Sequence, residues 1–394
     1  MAVSGDTVVV GAAGVADGLV YVFSHTDGIW HQQAQLAPVH SDTGTGFGRS
    51  VAISGDTVVV GTDVAEHGLA YVFVRKNGSW QQQAHLRAAS GNGDGSGSSV
   101  AISGETIVVG SPLNADMKGA AYVFVRASGS WRLQAYLTAS NADSGDEFGT
   151  AVAISGDRIV VGAVGESSSS TTIDNGQDDN TAFHSGAAYV FARNGAFWKQ
   201  EAYLKASNTH ATNRLGGSDN FGNSVAISGN TVVIGAFWED SNSTAIDTGE
   251  DDNSAPFAGA AYVFVHCGGS WRQQAYLKAF NTDAGDAFGT SVAISDETVV
   301  IGANWESSNS KTINSGQGDN SARCAGAAYV FDGRDGSWCQ RGYLKASNTD
   351  ESDWFGTSVA ISDRVVVIGA QWESSNSTAI NSGQCDNSAE FAGA

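Results

Sequence analysis

The chain has 394 residues, among them 50 Gly, 3 Pro and 4 Cys, and its 41% hydrophobic content is enough to build a sizeable core. Its formal net charge of −21 disfavours a basic, phosphate-gripping surface and with it a nucleic-acid partner. No stretch approaches the ~20 apolar residues a membrane-spanning helix needs, and the apolar residues are patterned too regularly for a long disordered chain.

The first predicted strand, Ala2-Val3-Ser4, stands at the start with no signal-peptide pattern before it. A two-residue turn at Gly5-Asp6 leads into a second strand, Thr-Val-Val-Val-Gly-Ala from Thr7, which is apolar enough to be buried on both faces. A third predicted strand carries Tyr21 and Phe23, and a fourth begins at Trp30. The same four phrases return along the chain, in units that start near residues 2, 51, 100, 152, 225, 292 and 359. The third strand recurs with Tyr71 and Phe73, Tyr122 and Phe124, Tyr189 and Phe191, Tyr262 and Phe264, and Tyr329 and Phe331. The fourth recurs from Trp80, Trp131, Trp198, Trp271 and Trp338 as Trp-x-Gln-Gln-Ala-Tyr-Leu with variations. In it Trp, Gln, Ala and Leu share one parity, which suits an outer strand packed on one side.

Four short antiparallel strands cannot bury their faces alone, and radial stacking of such units solves the problem. The repeat therefore predicts an all-β fold, a seven-bladed β-propeller of four-stranded antiparallel blades forming one domain over residues 1–394. An open solenoid is the alternative. The seventh unit carries only its first two strands before the sequence stops, so the last blade is expected to be incomplete and the chain to be a piece of a longer protein.

Further dipeptides punctuate each unit. Phe-Gly precedes most first strands, at Phe47-Gly48, Phe148-Gly149, Phe221-Gly222, Phe288-Gly289 and Phe355-Gly356. The third unit has Ser96-Gly97 there, which predicts a less well packed junction. Gly-Ala follows the second strand at Gly11-Ala12, Gly162-Ala163, Gly235-Ala236, Gly302-Ala303 and Gly369-Ala370. Phe is expected to fill the space between blades, and Gly to allow a tight entry into the innermost strand. An Asp two residues before the Phe, at Asp146, Asp219, Asp286 and Asp353, is expected to hold backbone N–H groups of its loop.

On these motifs the chain resembles the FG-GAP repeat family, best known from the propeller of integrin α subunits. It is most similar to the bacterial and marine type with F-G-x-S-V-A-I-S-G-D-T-V-V-V-G-A. The resemblance implies a non-enzymatic recognition or adhesion module at a cell surface or outside the cell, with a protein or glycan partner. It also raises calcium, because integrin-type blades often carry a D-x-D-x-D-G-x-x-D loop in the first hairpin. Here that hairpin is only Ser-Gly-Asp and its variants, too short for the six to eight oxygens that calcium takes.

From the fourth unit on, an insert follows the Gly-Ala and lengthens the period from about 50 to about 70 residues. Its template begins with Glu and continues to Ile-[Asp/Asn]-x-Gly-x-x-Asp-Asn. Asp174, Asp178 and Asp179, and likewise Asp247, Asp251 and Asp252, are candidate oxygen ligands for calcium there. The alternative is a self-bonded polar loop with Ile packed inward. Trp238, Trp305 and Trp372 share one insert position and are candidate sugar-stacking platforms, although such a Trp can equally cover a neighbouring loop.

Catalytic patterns are absent. The eight His, His25, His31, His40, His67, His85, His184, His210 and His266, occupy unlike repeat positions. The Gly-rich run Gly91-Asn92-Gly93-Asp94-Gly95 precedes a strand rather than a helix. Cys267, Cys324, Cys339 and Cys385 fit no metal spacing, although Cys324 and Cys385 lie in inserts of neighbouring units and could approach. Two further readings stay open beside adhesion: a carbohydrate-binding propeller using the insert Trp residues, and, less favoured, a hydrolase at the central channel.

Overall fold

The computed structural model describes residues 1–14, 18–39, 46–62, 70–87, 97–209, 218–377, 379–389 and 392–394. The Gly91–Gly95 run, Ser96, and His40, His67 and His210 lie outside the described residues. The fold is an all-β propeller type: six four-stranded antiparallel blades and a two-stranded seventh. Contacts divide the chain into two compact units, Met1–Lys205 and Ala206–Ala394.

The first unit holds blades one to four. Blade four shows the design. Its strands Phe148–Ser155, Arg158–Ala163, Ala187–Asn194 and Phe197–Leu204 pair in sequence order. The hairpin turn is Gly156-Asp157, with Gly156 at φ 56°, the left-handed conformation that a two-residue turn of this kind requires. The innermost strand is longer than its Val-Ala-Ile-Ser phrase suggests. Phe148 pairs with Ala163 and Ala151 with Gly162, so the Phe-Gly dipeptide enters the sheet through an irregular, bulged register.

The cores lie between blades. Between blades three and four, Val108, Val123 and Leu137 meet Phe148, Ile159, Val161, Tyr189, Phe191 and Tyr203. Phe148 has no exposed surface and packs edge-on against Tyr189 at 5.4 Å and Phe191 at 6.0 Å. Phe47 repeats this against Tyr71 and Phe73. The third-strand Tyr and Phe thus share the face that their common parity predicts. Gly149 sits at φ 103°, and a Cβ there would lie 2.4 Å from the Ala120 carbonyl oxygen. No other residue fits so close an approach.

The second unit holds blades five to seven. Phe221 and Phe288 repeat the packing of Phe148, with rings 5.3 Å from Tyr262 and from Tyr329. In blade seven, Phe355–Ser362 pairs with Val365–Ala370, and Ala370 also exchanges two backbone hydrogen bonds with Ala394, at 2.6 and 2.8 Å. Val365 to Ile368 are half-buried there, whereas Val299, Val300 and Ile301 of blade six are fully buried.

Along the outer strands, indole N–H groups donate to the Gln three residues past the Trp of the preceding blade. Trp80 reaches Gln33 at 2.8 Å, Trp131 reaches Gln83 at 2.9 Å, Trp198 reaches Gln134 at 2.9 Å, and Trp338 reaches Gln274 at 3.1 Å. The one-sided outer strand of the sequence reading holds in blade three, where Tyr136 is 50% exposed. It fails in blades four to six: Tyr203, Tyr276 and Tyr343 are fully buried, because the inserts fold over them.

Candidate functional site

The inserts are the feature that sets some blades apart. Each begins with a Glu whose carboxylate is buried. Glu166 accepts Lys205 Nζ at 3.2 Å, Glu239 accepts Lys278 at 3.0 Å, and Glu306 accepts Lys345 at 3.0 Å. The Lys is the residue after the last Leu of the same blade's outer strand, so the pair ties the root of the insert to the blade. An ion pair taken out of water costs more than it returns unless its remaining hydrogen-bonding groups are satisfied. They are: Lys278 Nζ also donates to the Ser241 carbonyl at 2.7 Å and the Gly259 carbonyl at 2.7 Å. Glu239 further accepts the Tyr276 hydroxyl at 2.8 Å, the Ser241 N–H at 3.2 Å and Asn208 Nδ2 at 3.0 Å. Burial, reinforced by Glu239, raises the Tyr276 phenol above its usual range and keeps it a neutral donor. Burial lowers Lys345, against the pull of Glu306.

Sequence reading missed this network. Its signal was present: Leu-Lys ends the outer strand in units four to six, where the insert opens with Glu, whereas Ala37, Arg87 and Thr138 follow the Leu in units one to three.

The candidate calcium ligands are spread along the loop. Asp174, at φ 57°, accepts the Tyr203 N–H through Oδ1 at 2.7 Å and donates its own N–H to the Tyr203 carbonyl at 2.9 Å. Asp247 does the same to Tyr276, at 2.7 and 3.0 Å. Asn314 does it to Tyr343, at 2.8 and 2.9 Å, so the role needs an oxygen and not a charge. Asp179 accepts the Ser169 hydroxyl at 2.5 Å, the Ser169 N–H at 2.7 Å and Thr181 Oγ1 at 3.1 Å, and these bonds, the Ser169 hydroxyl's first, hold its carboxyl down at about 2. Asp252 accepts the N–H groups of Asn242 at 3.2 Å and Ser254 at 2.8 Å. Asp178 and Asp251 are exposed. Among the described residues no three His, Cys, Asp or Glu side chains gather into a group that could hold a metal ion. The Ile of the template packs against the core in blade five, as Ile246, but Ile313 and Ile380 are exposed.

At three of the four expected positions the Asp before Phe-Gly holds its loop. Asp146, Asp286 and Asp353 accept the N–H of the residue three before, at 2.7, 2.9 and 2.7 Å. Burial pushes Asp146 up to about 6, Asp286 to about 7 and Asp353 to about 6, with repulsion from the nearby Glu166, Glu306 and Glu373 adding to it.

The insert Trp residues separate into two settings. Trp238 lies against Phe237 at 5.1 Å and Phe257 at 5.5 Å. Trp305 and Trp372 instead flank Trp354, which sequence reading passed over: Trp354 stacks on Trp372 at 4.0 Å and 16°, and its ring is 6.5 Å from Trp305. Trp354 adopts φ 57°, a left-handed backbone that costs a bulky residue roughly 1–2 kcal/mol. The four cysteines are free thiols, so Cys324 and Cys385 are not joined.

The FG-GAP repeat family matches residues 30–73, 80–124, 131–191, 198–264, 271–331 and 338–385. The chain belongs to the FG-GAP repeat family. Among curated proteins no relative matches it. Each of the first five FG-GAP matches runs from an outer-strand Trp to the third-strand Phe of the next blade, so the family repeat straddles two blades. The FG-GAP propeller is a non-catalytic architecture. No helix among the described residues is long and apolar enough to cross a membrane.

Proposed function

We propose that this FG-GAP chain is a recognition and adhesion module acting outside the cell or at its surface, and that it presents its binding groups on the inserts of blades four to seven. One observation carries the reading. In blades four to six the insert roots are fixed by buried Lys–Glu pairs, while their outer residues stay exposed: Asp178, Asp251, Phe183 at 67% and Ile313 at 62%. Rigid loops bind at lower entropic cost than flexible ones, which makes a pinned, exposed loop a good recognition surface. The likeness to the integrin α propeller and to the bacterial and marine repeat type supports a cell-surface setting by analogy of family, not of site.

The test is a solid-phase screen of the chain on immobilised extracellular proteins and glycans, beside a variant with Asp178, Phe183, Asp251 and Ile313 all changed to Ser. Saturable binding to at least one surface, weakened in the variant at unchanged Tm, is the expected result. Binding to none, or equal binding by both forms, overturns the reading. Running the screen with about 1 mM calcium and with a chelator tests whether the insert carboxylates around Asp174, Asp179, Asp247 and Asp252 recruit the ion.

A further inference from the structure

We propose that the half-blade Phe355–Ala370 is a docking site for a β-hairpin of a second polypeptide, with Tyr and Phe on one parity of its first strand and Tyr-Leu-Lys ending its second. This interaction surface lies beyond the recognition reading and does not rest on it.

The first argument is the edge. Among the described residues, Val365–Ala370 has one strand neighbour, whereas the second strand of every other blade has two. The free side is already set in register. Ala370 and Ala394 exchange backbone bonds where Ala303 pairs with Ala327, Ala236 with Ala260 and Ala163 with Ala187. A strand continuing that register would set a Tyr opposite Ile368 and a Phe opposite Val366, as Tyr329 lies opposite Ile301 and Phe331 opposite Val299. Open edges of this kind take up extended segments through main-chain bonds, and side-chain pockets then select the sequence.

The second argument is a notch of the right shape. Phe148 and Phe288 are buried beneath the Tyr and Phe of their own third strands; Phe355 has no such rings over it and is half-buried. Across the joint, Val263 and Leu277 of blade five are fully buried in a cluster with Tyr329 and Phe331. Their equivalents in blade six, Val330 and Leu344, are half-buried and gather with Phe355. A Tyr and a Phe on one strand face would close this notch as they close the others.

The third argument decides the occupant. Glu373 is 4% exposed and makes two of the four bonds of Glu306, accepting Asn348 Nδ2 at 2.9 Å and the Ser375 N–H at 3.0 Å. The two that Glu306 has in addition come from the outer strand, the Tyr343 hydroxyl at 2.9 Å and Lys345 Nζ at 3.0 Å. Among the described residues no cation reaches Glu373, and a buried carboxyl short of its cation is costly. Asn381 holds the left-handed backbone of Asn314, at φ 58° in both. Asn314 uses it to clasp the Tyr343 backbone at 2.8 and 2.9 Å; Asn381 is exposed. The half-blade thus already presents the groups that grip a Tyr-Leu-Lys strand end. A second copy does not supply one, because its third- and fourth-strand hairpins are paired within their own blades. Two half-blades joined edge to edge would leave both Glu373 carboxyls without a cation.

The test uses the intact chain and a soluble carrier protein fused to a copy of Ala187–Lys205, a segment that holds Tyr189, Phe191, Tyr203 and Lys205 and no Cys. Calorimetry should show one-to-one binding, with none by the carrier alone, and hydrogen exchange should slow at Val365–Ile368. Lys205→Met in the fused segment should weaken binding at least about tenfold, because a buried charge pair is then broken. Against the Glu373→Gln chain, which should keep its Tm, the same change should weaken binding less than about threefold. No saturable binding up to about 100 μM overturns the proposal. So does protection away from Val365–Ile368, or an equal loss from Lys205→Met on both chains. Concentration-dependent association of the chain alone that the fused hairpin does not reverse would give the edge to a second copy and overturn it as well.

Discussion

Blades three and four are neighbours within one unit and spell nearly the same outer strand, Trp-Arg-Leu-Gln-Ala-Tyr-Leu against Trp-Lys-Gln-Glu-Ala-Tyr-Leu. In blade three the Tyr is Tyr136, 50% exposed, and the strand is followed by Thr138; in blade four it is Tyr203, fully buried, and the strand is followed by Lys205. The strand itself is nearly constant, and what covers it differs. Blade three joins its second and third strands through Asn114–Met117, a tight turn with Ala115, Asp116 and Met117 in left-handed backbone, whereas blade four sends a long insert back over its outer edge. The insert, its Glu and the outer-strand Lys thus work as a set, and removing one member leaves the others worse than if the set had never been built.

The sharpest way to break this comparison is to leave the buried carboxylate without its cation. Lys278→Met should destabilise the chain by about 3–5 kcal/mol, measured by urea unfolding, because Glu239 then stays buried as an unpaired charge. Thr138→Met in blade three, where no such carboxylate waits, should change stability by less than about 1 kcal/mol.

Next comes pH. The Asp286 carboxyl is raised to about 7 in the folded chain against an ordinary value near 3.8. The folded state therefore holds this proton more tightly than the unfolded one. The stabilisation is complete below about pH 4 and is lost as pH rises through about 7. Asp286→Asn keeps an oxygen for the Asp283 N–H and removes the titration. It should be the more stable form at pH 8, by up to roughly 2–4 kcal/mol, and should show a flatter Tm between pH 4 and 8. An unchanged pH profile would show that the carboxyl is not held in this way.

A smaller effect separates the two kinds of outer-strand Tyr. Tyr276→Phe deletes a buried donor to Glu239 and should cost about 1–3 kcal/mol. Tyr136→Phe, at the exposed position, should cost about 0.5 kcal/mol or less. Equal losses would mean that the insert contributes nothing to how the strand is held.

The smallest expected change is at Asp174. Asn314 makes the same two bonds without charge, so Asp174→Asn should shift stability by less than about 0.5 kcal/mol in thermal unfolding. A loss well above that would give the charge of Asp174 a task that the loop geometry does not.

Much of this molecule was legible before any coordinates. A phrase repeated seven times fixes strand order and blade type, and the Phe-Gly and Asp positions carry their physical roles with them, as Phe148 and Asp286 show. What escaped was whatever depends on two distant residues at once. Glu166 alone is an acid opening a polar loop, and Lys205 alone is a base ending a strand; only the fold sets them 3.2 Å apart. The burial of Tyr203 escaped for a related reason, since alternation along a strand speaks of the sheet's own faces and not of a loop laid over them. Trp354 escaped because it occurs once, at a position where the other units have Gly, Glu, Asn and Ala, and a reading built on repetition discounts singular residues.

The offset between the family repeat and the blade has a consequence for how such a chain can grow. A segment running from one outer-strand Trp to the next blade's Phe carries the two sides of a joint rather than one finished sheet. Copied in tandem, it brings its own indole to meet the Gln of the copy before it, as Trp131 meets Gln83 and Trp198 meets Gln134. Each duplication event therefore inherits its seam ready-made, and a lineage can lengthen or shorten the array without reinventing the contact between neighbours.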